Sequence, residues 1–322
     1  MSGADLLILT LIILLLISLK LILRPHPTRI PIKSRHVFIT GGSSGIGLAL
    51  AREAAAEGAR VTILARDMKK LEQAKASIQV STGTEVDIVS ADVRDFHAVK
   101  TAVECAGEID VLICNHGTFL PYEVENMEMK GIEDIIGVNL VGSFGLVKAA
   151  LVGMKKRKDR RPVSIAFMSS QLGQVGIYGY AAYSASKFGL RGLAEALQQE
   201  VIADDIHVSL IFPPDTDTPG LAEEKTRRPQ LTSIITASSG AMTADEVAKK
   251  TLNGIKSGSF FIHCNFEGVL LSIGTAGMSP QRSYLMAFVE VIFSGVIRFV
   301  ALCFLWTWYR SIEKWHAKRK RA

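Results

Sequence analysis

Hydrophobic residues divide this chain into three zones: a continuous run near its start, short separated runs in the middle, and apolar segments near its end. The first run, residues 6–23, is interrupted only by Thr10, Ser18 and Lys20. A run of this length suits a membrane-spanning helix, and Lys20 is close enough to the end for its ammonium to reach the interface. A secretory signal peptide would need a basic start and a small-residue cleavage site, which this segment lacks. We therefore predict a retained N-terminal transmembrane anchor over residues 1–24.

In the middle zone, short β-branched runs alternate with segments of helical periodicity. The predicted strands are 36–40, 60–65, 85–90, 109–114, 162–168, 206–212 and 259–263. The predicted helices are 46–57, 68–80, 96–106, 129–154, 181–203 and 244–256. This alternation predicts an α/β domain over residues 36–265, with a doubly wound, seven-stranded parallel sheet of the Rossmann type. Ligands of such sheets bind at the carboxyl ends of the strands.

Two segments depart from this alternation. Residues 213–243 contain several prolines and charges with little periodicity, which predicts a substrate lid. Residues 266–309 are apolar again but include Glu290 and Arg298, and charges inside a simple span are costly. A hairpin or a helix lying in the interface would keep the domain and the tail on one side of a membrane. The alternative is a core helix with a dimer-forming face.

The net charge of +6 is concentrated beside the apolar zones. Residues 20–35 carry five basic groups and no acid, whereas residues 310–322 carry six basic groups and one acid. Basic flanks of this kind orient apolar helices and meet anionic lipid. We predict a basic, proline-rich linker at 25–35, a basic cytosolic tail at 310–322, and no nucleic-acid partner. The scattered cysteines and histidines predict neither disulfides nor a metal site.

A glycine-rich turn follows the first predicted strand directly. Glycines there allow a tight turn, and they let backbone amides at a helix N-terminus approach a pyrophosphate. The predicted dinucleotide contacts in this turn are Gly41, Ser43, Ser44, Gly45, Ile46 and Gly47. The spacing differs from the G-x-G-x-x-G fingerprint, and a turn that merely joins a strand to a helix is the plain alternative.

The second predicted strand ends at Arg66, where an NAD-specific enzyme would carry a carboxylate for the ribose hydroxyl. A guanidinium there favours the 2′-phosphate of NADP(H), and Lys70 adds a second positive charge one helical turn later. Asp67 weakens this field, and a solvated surface arginine is the alternative.

Two further polar segments follow the third and fourth predicted strands. Asp92 and Val93 follow the third strand, where an adenine ring would lie. Asn115 follows the fourth, where the backbone would pass close to the cofactor. Ordinary turn formation is the alternative for both segments.

Tyr183 and Lys187 lie four residues apart in a predicted helix, downstream of Ser169 and Ser170. A ketone that accepts hydride develops negative charge on its oxygen and needs a proton donor. A free tyrosine is poorly matched to neutral pH, so we expect Lys187 to lower the pKa of Tyr183. Only one serine of the pair can face the site because side chains alternate along a strand, and Ser170 is the preferred one.

Together these motifs resemble the short-chain dehydrogenase/reductase family over about residues 36–265. They occur in the family's order, with His116 standing where the family usually has alanine. The resemblance implies an oxidoreductase that uses NADPH or NADP+ and Tyr183 as the proton donor. It further implies that Lys187 also holds the nicotinamide ribose, and that Asn139 helps to relay protons through water.

Several runs resemble one membrane-bound subgroup of that family more closely. They are P-P-D-T-D-T-P-G at 213–220, R-G-L-A-E-A-L at 191–197 and G-M-S-P at 277–280. This resemblance implies a long-chain keto-amine lipid substrate, a role in sphingolipid synthesis, and an endoplasmic reticulum membrane location with the catalytic domain facing the cytosol. The terminal K-R-K-R-A also resembles a retrieval signal of that compartment, with a lipid-facing basic cluster as its alternative.

Several alternatives remain open at this stage. A hydroxysteroid or retinol dehydrogenase of the same family would share the catalytic residues, and an NADPH-binding sensor or scaffold would need no lysine beside the tyrosine. Family analogy predicts a homodimer through the long helices. Asp215, Glu223 or Glu224 in the lid is a candidate for binding the substrate ammonium, although lid charges are usually solvated.

Overall fold

The computed structural model describes residues 2–23, 28–159, 161–236 and 240–319. Parts of four predicted segments therefore lie outside the described residues: position 24 of the anchor, 25–27 of the linker, 237–239 of the lid, and 320–322 of the tail. The chain separates into two compact units, one formed by residues 28–268 and the other by the two ends of the chain.

The central unit is built on a parallel seven-stranded sheet. Six of its strands are β1 (His36–Thr40), β2 (Arg60–Ala65), β3 (Asp87–Ser90), β4 (Val111–Cys114), β5 (Val163–Met168) and β6 (Ile206–Phe212). The seventh, β9 (Phe261–His263), lies at one edge; β7 and β8 form a separate small sheet described below. The spatial order is β3-β2-β1-β4-β5-β6-β9, with β1 paired to both β2 and β4. The order reverses beside β1, which opens a crevice at the carboxyl ends of β1 and β4. The predicted fold class is confirmed.

Helices cover both faces of this sheet. They are α2 (Gly45–Ala56), α3 (Met68–Thr82), α4 (Phe96–Ala106), α5 (Met129–Ile136), α6 (Gly142–Lys155), α7 (Ala181–Val201) and α10 (Ala244–Lys256). One core cluster joins α2, α3 and α10 to the sheet through residues such as Leu50, Leu71 and Leu252. The other joins α4, α6 and α7 through residues such as Leu146 and Leu190. Because both faces are covered, β1, β4, β5 and β6 are buried at every position.

The long helix predicted at 129–154 contains an irregularity. Residues Gly137–Val141 form a π-helical segment between α5 and α6. Such an insertion adds a residue to a turn and is common at functional sites. Here it directs the side chain of Asn139 inward, where it is completely buried. Periodicity alone does not predict this insertion because the segment stays helical on both sides of it.

The segment predicted as a lid has more secondary structure than its sequence pattern indicates. It contains β7 (Thr216–Asp217), α8 (Pro219–Lys225), α9 (Gln230–Ile235) and β8 (Met242–Thr243), and β7 pairs with β8 in parallel. Thr218 begins α8 by accepting a hydrogen bond from the backbone of Leu221, and Pro219 occupies the first helical turn. These helices are too short to give a clear periodic signal.

The terminal unit consists mainly of two apolar helices that contact each other, α1 (Gly3–Leu23) and α12 (Tyr284–Arg319). Both are long and apolar enough to cross a membrane and are the candidate membrane segments; Met129–Lys155 also meets those criteria but belongs to the catalytic unit. The preceding helix α11 (Phe266–Gly274) is only nine residues, or about 14 Å, too short for one arm of a membrane hairpin. Of the residues in α12, only Ala287 is buried.

Candidate active site

The carboxyl ends of β1 to β6 open onto one cavity of about 680 Å³. This volume lies within the range of roughly 300–1,000 Å³ that is typical of ligand sites. Residues that follow β1, β4 and β5 line it together with residues from α7 and from the segment 213–236. The cavity therefore brings the predicted cofactor and catalytic residues to the same crevice of the sheet.

The glycine turn after β1 has the backbone that its sequence predicts. Gly41 and Gly45 have φ angles of +66° and +53°, which residues with a side chain rarely adopt. Ser44 precedes α2 without capping it through its hydroxyl, so the first amides of this helix have no side-chain cap. These amides and the positive end of the helix dipole suit an anionic group. Of the predicted turn residues, those that line the cavity are Gly41, Ser43, Ser44, Gly45 and Ile46.

Gly47 has a different position from the rest of the turn. It does not line the cavity, and a Cβ at this position would lie 2.1 Å from the carbonyl oxygen of Gly41. Glycine is therefore required here because α2 packs directly against the turn, and the predicted cofactor contact of Gly47 stays a prediction.

Two basic side chains, Arg66 and Lys70, lie at the end of β2 and the start of α3. Both are exposed and both line the cavity. The carboxylate of Asp67 lies between them in sequence and accepts a hydrogen bond from the backbone amide of Lys70, so it caps α3. Two exposed cations at this end of the cavity suit an anionic group.

Asp92 and Val93 line the cavity after β3, as does Arg94, which the sequence reasoning missed. The Nη2 atom of Arg94 lies 2.7 Å from Asp92 Oδ2, and Nη1 lies 2.8 Å from Asp134 Oδ1. Hydrogen bonding to Arg94 lowers the pKa of Asp92. The Asp-x-Arg spacing is a signal that would have identified this pair.

Asn115 lies after β4 and is fixed to the glycine turn. Its Nδ2 atom donates to the carbonyl of Thr40 at 3.1 Å, and its backbone amide donates to Thr40 Oγ1 at 3.0 Å. The same hydroxyl lies 2.7 Å from Nδ1 of His116. Burial lowers the pKa of His116 to about 3, so this ring is neutral at physiological pH. Thr40 thus joins the two cofactor-side loops, a role that no sequence motif indicated.

The two serines after β5 have different partners. Ser169 is buried and donates to the backbone carbonyl of Lys187 at 3.1 Å. The Ser170 hydroxyl accepts from the amide of Leu172 at 3.1 Å, and its interaction with Tyr183 lowers the pKa of the tyrosine. Both serines line the cavity, but only Ser170 acts on the pKa of the tyrosine.

Tyr183 and Lys187 both line the cavity, with Lys187 Nζ 5.5 Å from the centre of the Tyr183 ring. The ammonium donates to the carbonyl of Met168 at 2.8 Å. Burial lowers the pKa of Lys187 to about 7, and burial raises the pKa of Tyr183 to about 12. The expectation that Lys187 lowers the tyrosine pKa is therefore wrong for this arrangement: desolvation outweighs the effect of Ser170, and Asp215 and Glu224 raise the pKa further.

Asn139 does not line the cavity. Its Oδ1 accepts from the amide of Thr118 at 2.8 Å, and its Nδ2 donates to the Thr118 carbonyl and to Ser186 Oγ, both at 2.9 Å. The side chain thereby braces the loop after β4 against α7. This is a positioning contact, and the water relay suggested for Asn139 stays a prediction.

A second polar cluster lies on the lid side of the same cavity. Its members, all of which line the cavity, are Tyr180, Asp215, Glu224 and Arg228. Glu223, in contrast, is exposed, pairs with Arg227 at 3.0 Å and is not part of the cavity lining. Sequence reasoning found Asp215 and Glu224 but missed Tyr180 and Arg228. The contact of Tyr180 with Glu224 joins residues 44 positions apart, and Arg228 pairs with Glu224 within a segment whose sequence shows little periodicity.

Comparison with known proteins agrees with this geometry. The chain belongs to the short-chain dehydrogenase family, because residues 35–229 match the model of that family, described as short chain dehydrogenase. The family confirms the predicted class, an oxidoreductase that uses a nicotinamide cofactor.

Curated relatives extend the similarity to nearly the whole chain. A 3-dehydrosphinganine reductase of Arabidopsis thaliana is 63% identical over 92% of this chain and 90% of its own length. A 3-ketodihydrosphingosine reductase of Mus musculus is 38% identical over 91% of this chain and 89% of its own length. Among solved structures, a short-chain dehydrogenase from Sphingobium yanoikuyae in complex with NADPH has a TM-score of 0.64 and 24% identity, over 72% of this chain and 88% of that one. The similarity to this solved structure shows a shared fold and nothing more specific.

Proposed function

We propose that this protein catalyses the NADPH-dependent reduction of the C3 ketone of 3-ketosphinganine (3-dehydrosphinganine) to sphinganine, a reaction of sphingolipid biosynthesis. One observation carries the proposal: the protein is 63% identical, over 92% of its length, to a relative named for this reduction. The placement of Tyr183, Ser170 and Lys187 in one cavity with the glycine turn supports the chemistry.

The cofactor would lie along the edge of the sheet formed by the ends of β1 to β4. The amides at the start of α2, with Ser43 and Ser44, would bind the pyrophosphate. Arg66 and Lys70 would bind the 2′-phosphate, which favours NADPH over NADH. The segment at Asp92 and Val93 would contact the adenine, and Asn115 would hold the loop that faces the ribose. Bound NADPH supplies the hydride that reduces the carbonyl carbon.

The protein's own part in the reaction is to orient the ketone and supply a proton. Ser170 donates a hydrogen bond to the ketone oxygen, and Tyr183 transfers its hydroxyl proton to that oxygen as negative charge develops there. Lys187 would hold the nicotinamide ribose of the bound cofactor, and its ammonium places a positive charge beside the tyrosinate that forms. Asn139 keeps the loop at Thr118 in position and, as the family resemblance implies, contributes to proton relay.

The raised pKa of Tyr183 is consistent with a proton donor that stays protonated until the substrate is in place. At a pKa of about 12 the phenol holds its proton at neutral pH. Transfer then requires that positive charge stabilise the tyrosinate within the closed site. Lys187, whose pKa of about 7 leaves it partly protonated at neutral pH, supplies part of that charge.

The enzyme acts at a membrane in this proposal, on the cytosolic face of the endoplasmic reticulum. The apolar helices α1 and α12 support membrane association. The basic groups of residues 20–35 support a cytosolic position for the linker beside α1. Those of residues 310–322 support a cytosolic tail, which requires that α12 lie along the membrane interface and not cross the bilayer once. A single-chain keto-amine partitions into the bilayer, so a tethered catalytic unit meets it at a high local concentration.

A homodimer is a further part of the proposal. Val141, Phe144 and Phe188 are large apolar residues that remain exposed on the π segment, α6 and α7. Exposed apolar residues on long helices favour a helix-to-helix interface with a second copy.

The test is a substrate panel with the purified full-length protein in detergent or lipid. With NADPH, we expect stoichiometric formation of sphinganine from 3-ketosphinganine and little turnover of ketosteroids or retinal. Turnover of a steroid or retinal without turnover of the keto-amine would contradict the proposed substrate. Tight NADPH binding without reduction of any member would favour a sensor or scaffold.

A further inference from the structure

The polar cluster on the lid side of the cavity is built around Arg228. This guanidinium is mostly buried, with a side-chain exposure of 9%, and it binds two carboxylates. Its Nη2 atom lies 2.6 Å from Glu224 Oε2 and 3.1 Å from Asp215 Oδ2. A buried cation with two carboxylates leaves the group with one negative charge.

Glu224 has little capacity for a further partner. Arg228 reaches both of its oxygens, with Nε 2.9 Å from Oε1 and 3.1 Å from Oε2. The hydroxyl of Tyr180 also donates to Glu224 Oε1. With a side-chain exposure of only 2%, this carboxylate is enclosed and its charge is matched by the guanidinium.

Asp215 differs from Glu224 in both respects. Its side chain is 33% exposed, and its contact with Arg228 involves Oδ2 alone. Among the described residues, no side chain donates a hydrogen bond to Oδ1 at the distances of the contacts above. Asp215 lines the cavity and has the more exposed carboxylate of the two, so we assign the uncompensated negative charge of the cluster to it.

This cluster lies next to the tyrosine that protonates the ketone. The rings of Tyr180 and Tyr183 have centres 6.0 Å apart, and the Arg228 guanidinium lies 6.0 Å from the centre of the Tyr180 ring. The charges of Asp215 and Glu224 both act on Tyr183 and raise its pKa. The amine carbon of 3-ketosphinganine is bonded directly to its ketone carbon, so a group that binds the amine must lie beside the group that binds the ketone.

We propose that Asp215 binds the ammonium of the substrate, and that Arg228, fixed by Glu224 and Tyr180, holds Asp215 in position. This inference rests on the proposed function and adds the residue that recognises the amine. Asp215 is the specificity-determining contact, whereas Arg228 and Glu224 are positioning residues. Glu223 is not involved because it lies outside the cavity lining.

Binding of the ammonium at Asp215 also favours proton transfer. A carboxylate near Tyr183 opposes formation of the tyrosinate, since both are negative. The ammonium of the substrate neutralises Asp215 and removes this opposition at the time when the proton has to move. A ketone without an amine leaves the carboxylate uncompensated, so the site discriminates against it.

The experiment compares three substrates: 3-ketosphinganine, its N-acetyl derivative and the analogue that lacks the nitrogen. Each is assayed with wild-type full-length protein and with Asp215→Asn under the same detergent conditions. Asp217→Asn is the matched control, since Asp217 is an exposed aspartate in the same loop and does not line the cavity. NADPH affinity, measured by fluorescence, checks that each variant is folded.

We expect wild-type kcat/KM to be at least about tenfold higher for the keto-amine than for the two uncharged substrates. Asp215→Asn should lower kcat/KM for the keto-amine by about 10- to 100-fold, as expected for one charge-assisted hydrogen bond. The two uncharged substrates should be reduced no more slowly than by wild type, because the carboxylate that opposes the tyrosinate is gone. NADPH affinity should change by less than about threefold, and Asp217→Asn should resemble wild type.

The outcomes separate this inference from the proposed function. If Asp215→Asn keeps the full preference for the amine, the inference is overturned and the proposed function stands. If wild type reduces the keto-amine no better than its N-acetyl derivative, the ammonium is not recognised, and the inference fails without any variant. If wild type does not reduce the keto-amine at all, the proposed function fails and the inference fails with it.

Discussion

Replacing Lys187 with methionine should abolish reduction and yet stabilise the protein at neutral and acidic pH. The ammonium is buried, with 3% of the residue exposed, and burial lowers its pKa from 10.5 to about 7. Below pH 7 the lysine is protonated in both the folded and the unfolded chain, so folding carries the whole desolvation cost. At 1.36 kcal/mol per pKa unit, that cost is about 5 kcal/mol.

The pH dependence of this effect follows from the sign of the shift. Between about pH 7 and 10.5 the unfolded chain binds more protons at this site than the folded chain, so the stability of the wild type rises with pH. Above that window the lysine is neutral in both states and the cost is gone. Methionine removes the cost at every pH, but it also leaves the Met168 carbonyl without the hydrogen bond from Nζ, which costs about 1–2 kcal/mol.

The expected net stabilisation of Lys187→Met is therefore about 3 kcal/mol at pH 6, and it should fall to zero near pH 9. For a unit of this size, 3 kcal/mol corresponds to a rise in Tm of roughly 6–12 °C. Thermal unfolding of wild type and variant between pH 6 and 10 measures it. Lys249→Met is the control, since Lys249 is exposed on α10 and should show no such trend. A variant that is less stable than wild type at pH 6, or a difference that does not change with pH, would refute the reasoning.

Two other variants test the cofactor side of the cavity. Arg66→Ala should raise KM for NADPH by about 10- to 100-fold, the effect of losing one charged hydrogen bond, with little change in KM for NADH. The control is Lys69→Ala, which alters an exposed residue outside the cavity lining. Equal shifts in KM for both cofactors would show that Arg66 does not bind the phosphate. Gly47→Ala should destabilise the protein by about 1–3 kcal/mol and weaken NADPH binding, because the new Cβ would lie 2.1 Å from the Gly41 carbonyl oxygen. Gly192→Ala, in the interior of α7 with no atom within 4 Å of the new Cβ, should be neutral or stabilising in denaturant titrations, and a Gly47 variant that behaves in the same way would contradict the packing explanation.

Most of the fold follows from local patterns that the sequence displays. Strands β1, β2 and β6 have the bounds that were predicted, and the other strands of the large sheet differ by one to two residues at one end. Buried parallel strands are short apolar runs, and the helices between them are amphipathic, so neighbouring residues carry enough information. The π segment around Asn139 and the helices within 213–243 were missed because elements of five to seven residues are too short to show a repeating hydrophobic pattern.

The active site also contains some features that local sequence predicts and others that it does not. The glycine turn, Arg66 and the Tyr183–Lys187 spacing are local features, and the structure places these residues around one cavity as expected. The contacts of Asn139 with Thr118 and of Tyr180 with Glu224 join residues 21 and 44 positions apart, which no spacing rule predicts. Electrostatics in the site depends on burial as well as on nearby charge. The raised pKa of Tyr183 is the clearest case, since a neighbouring lysine suggested the opposite direction.

The central claim is that the Tyr183 hydroxyl provides the proton for reduction of the keto-amine. The most direct measurement is single-turnover oxidation of NADPH by Tyr183→Phe in the presence of 3-ketosphinganine, with NADPH affinity measured on the same sample. The account predicts a loss of at least about 10²-fold in the rate, the contribution of one positioned general acid, with NADPH affinity changed by less than about twofold. A variant that oxidises NADPH and forms sphinganine at the wild-type rate would show that another group supplies the proton, and it would contradict the mechanism.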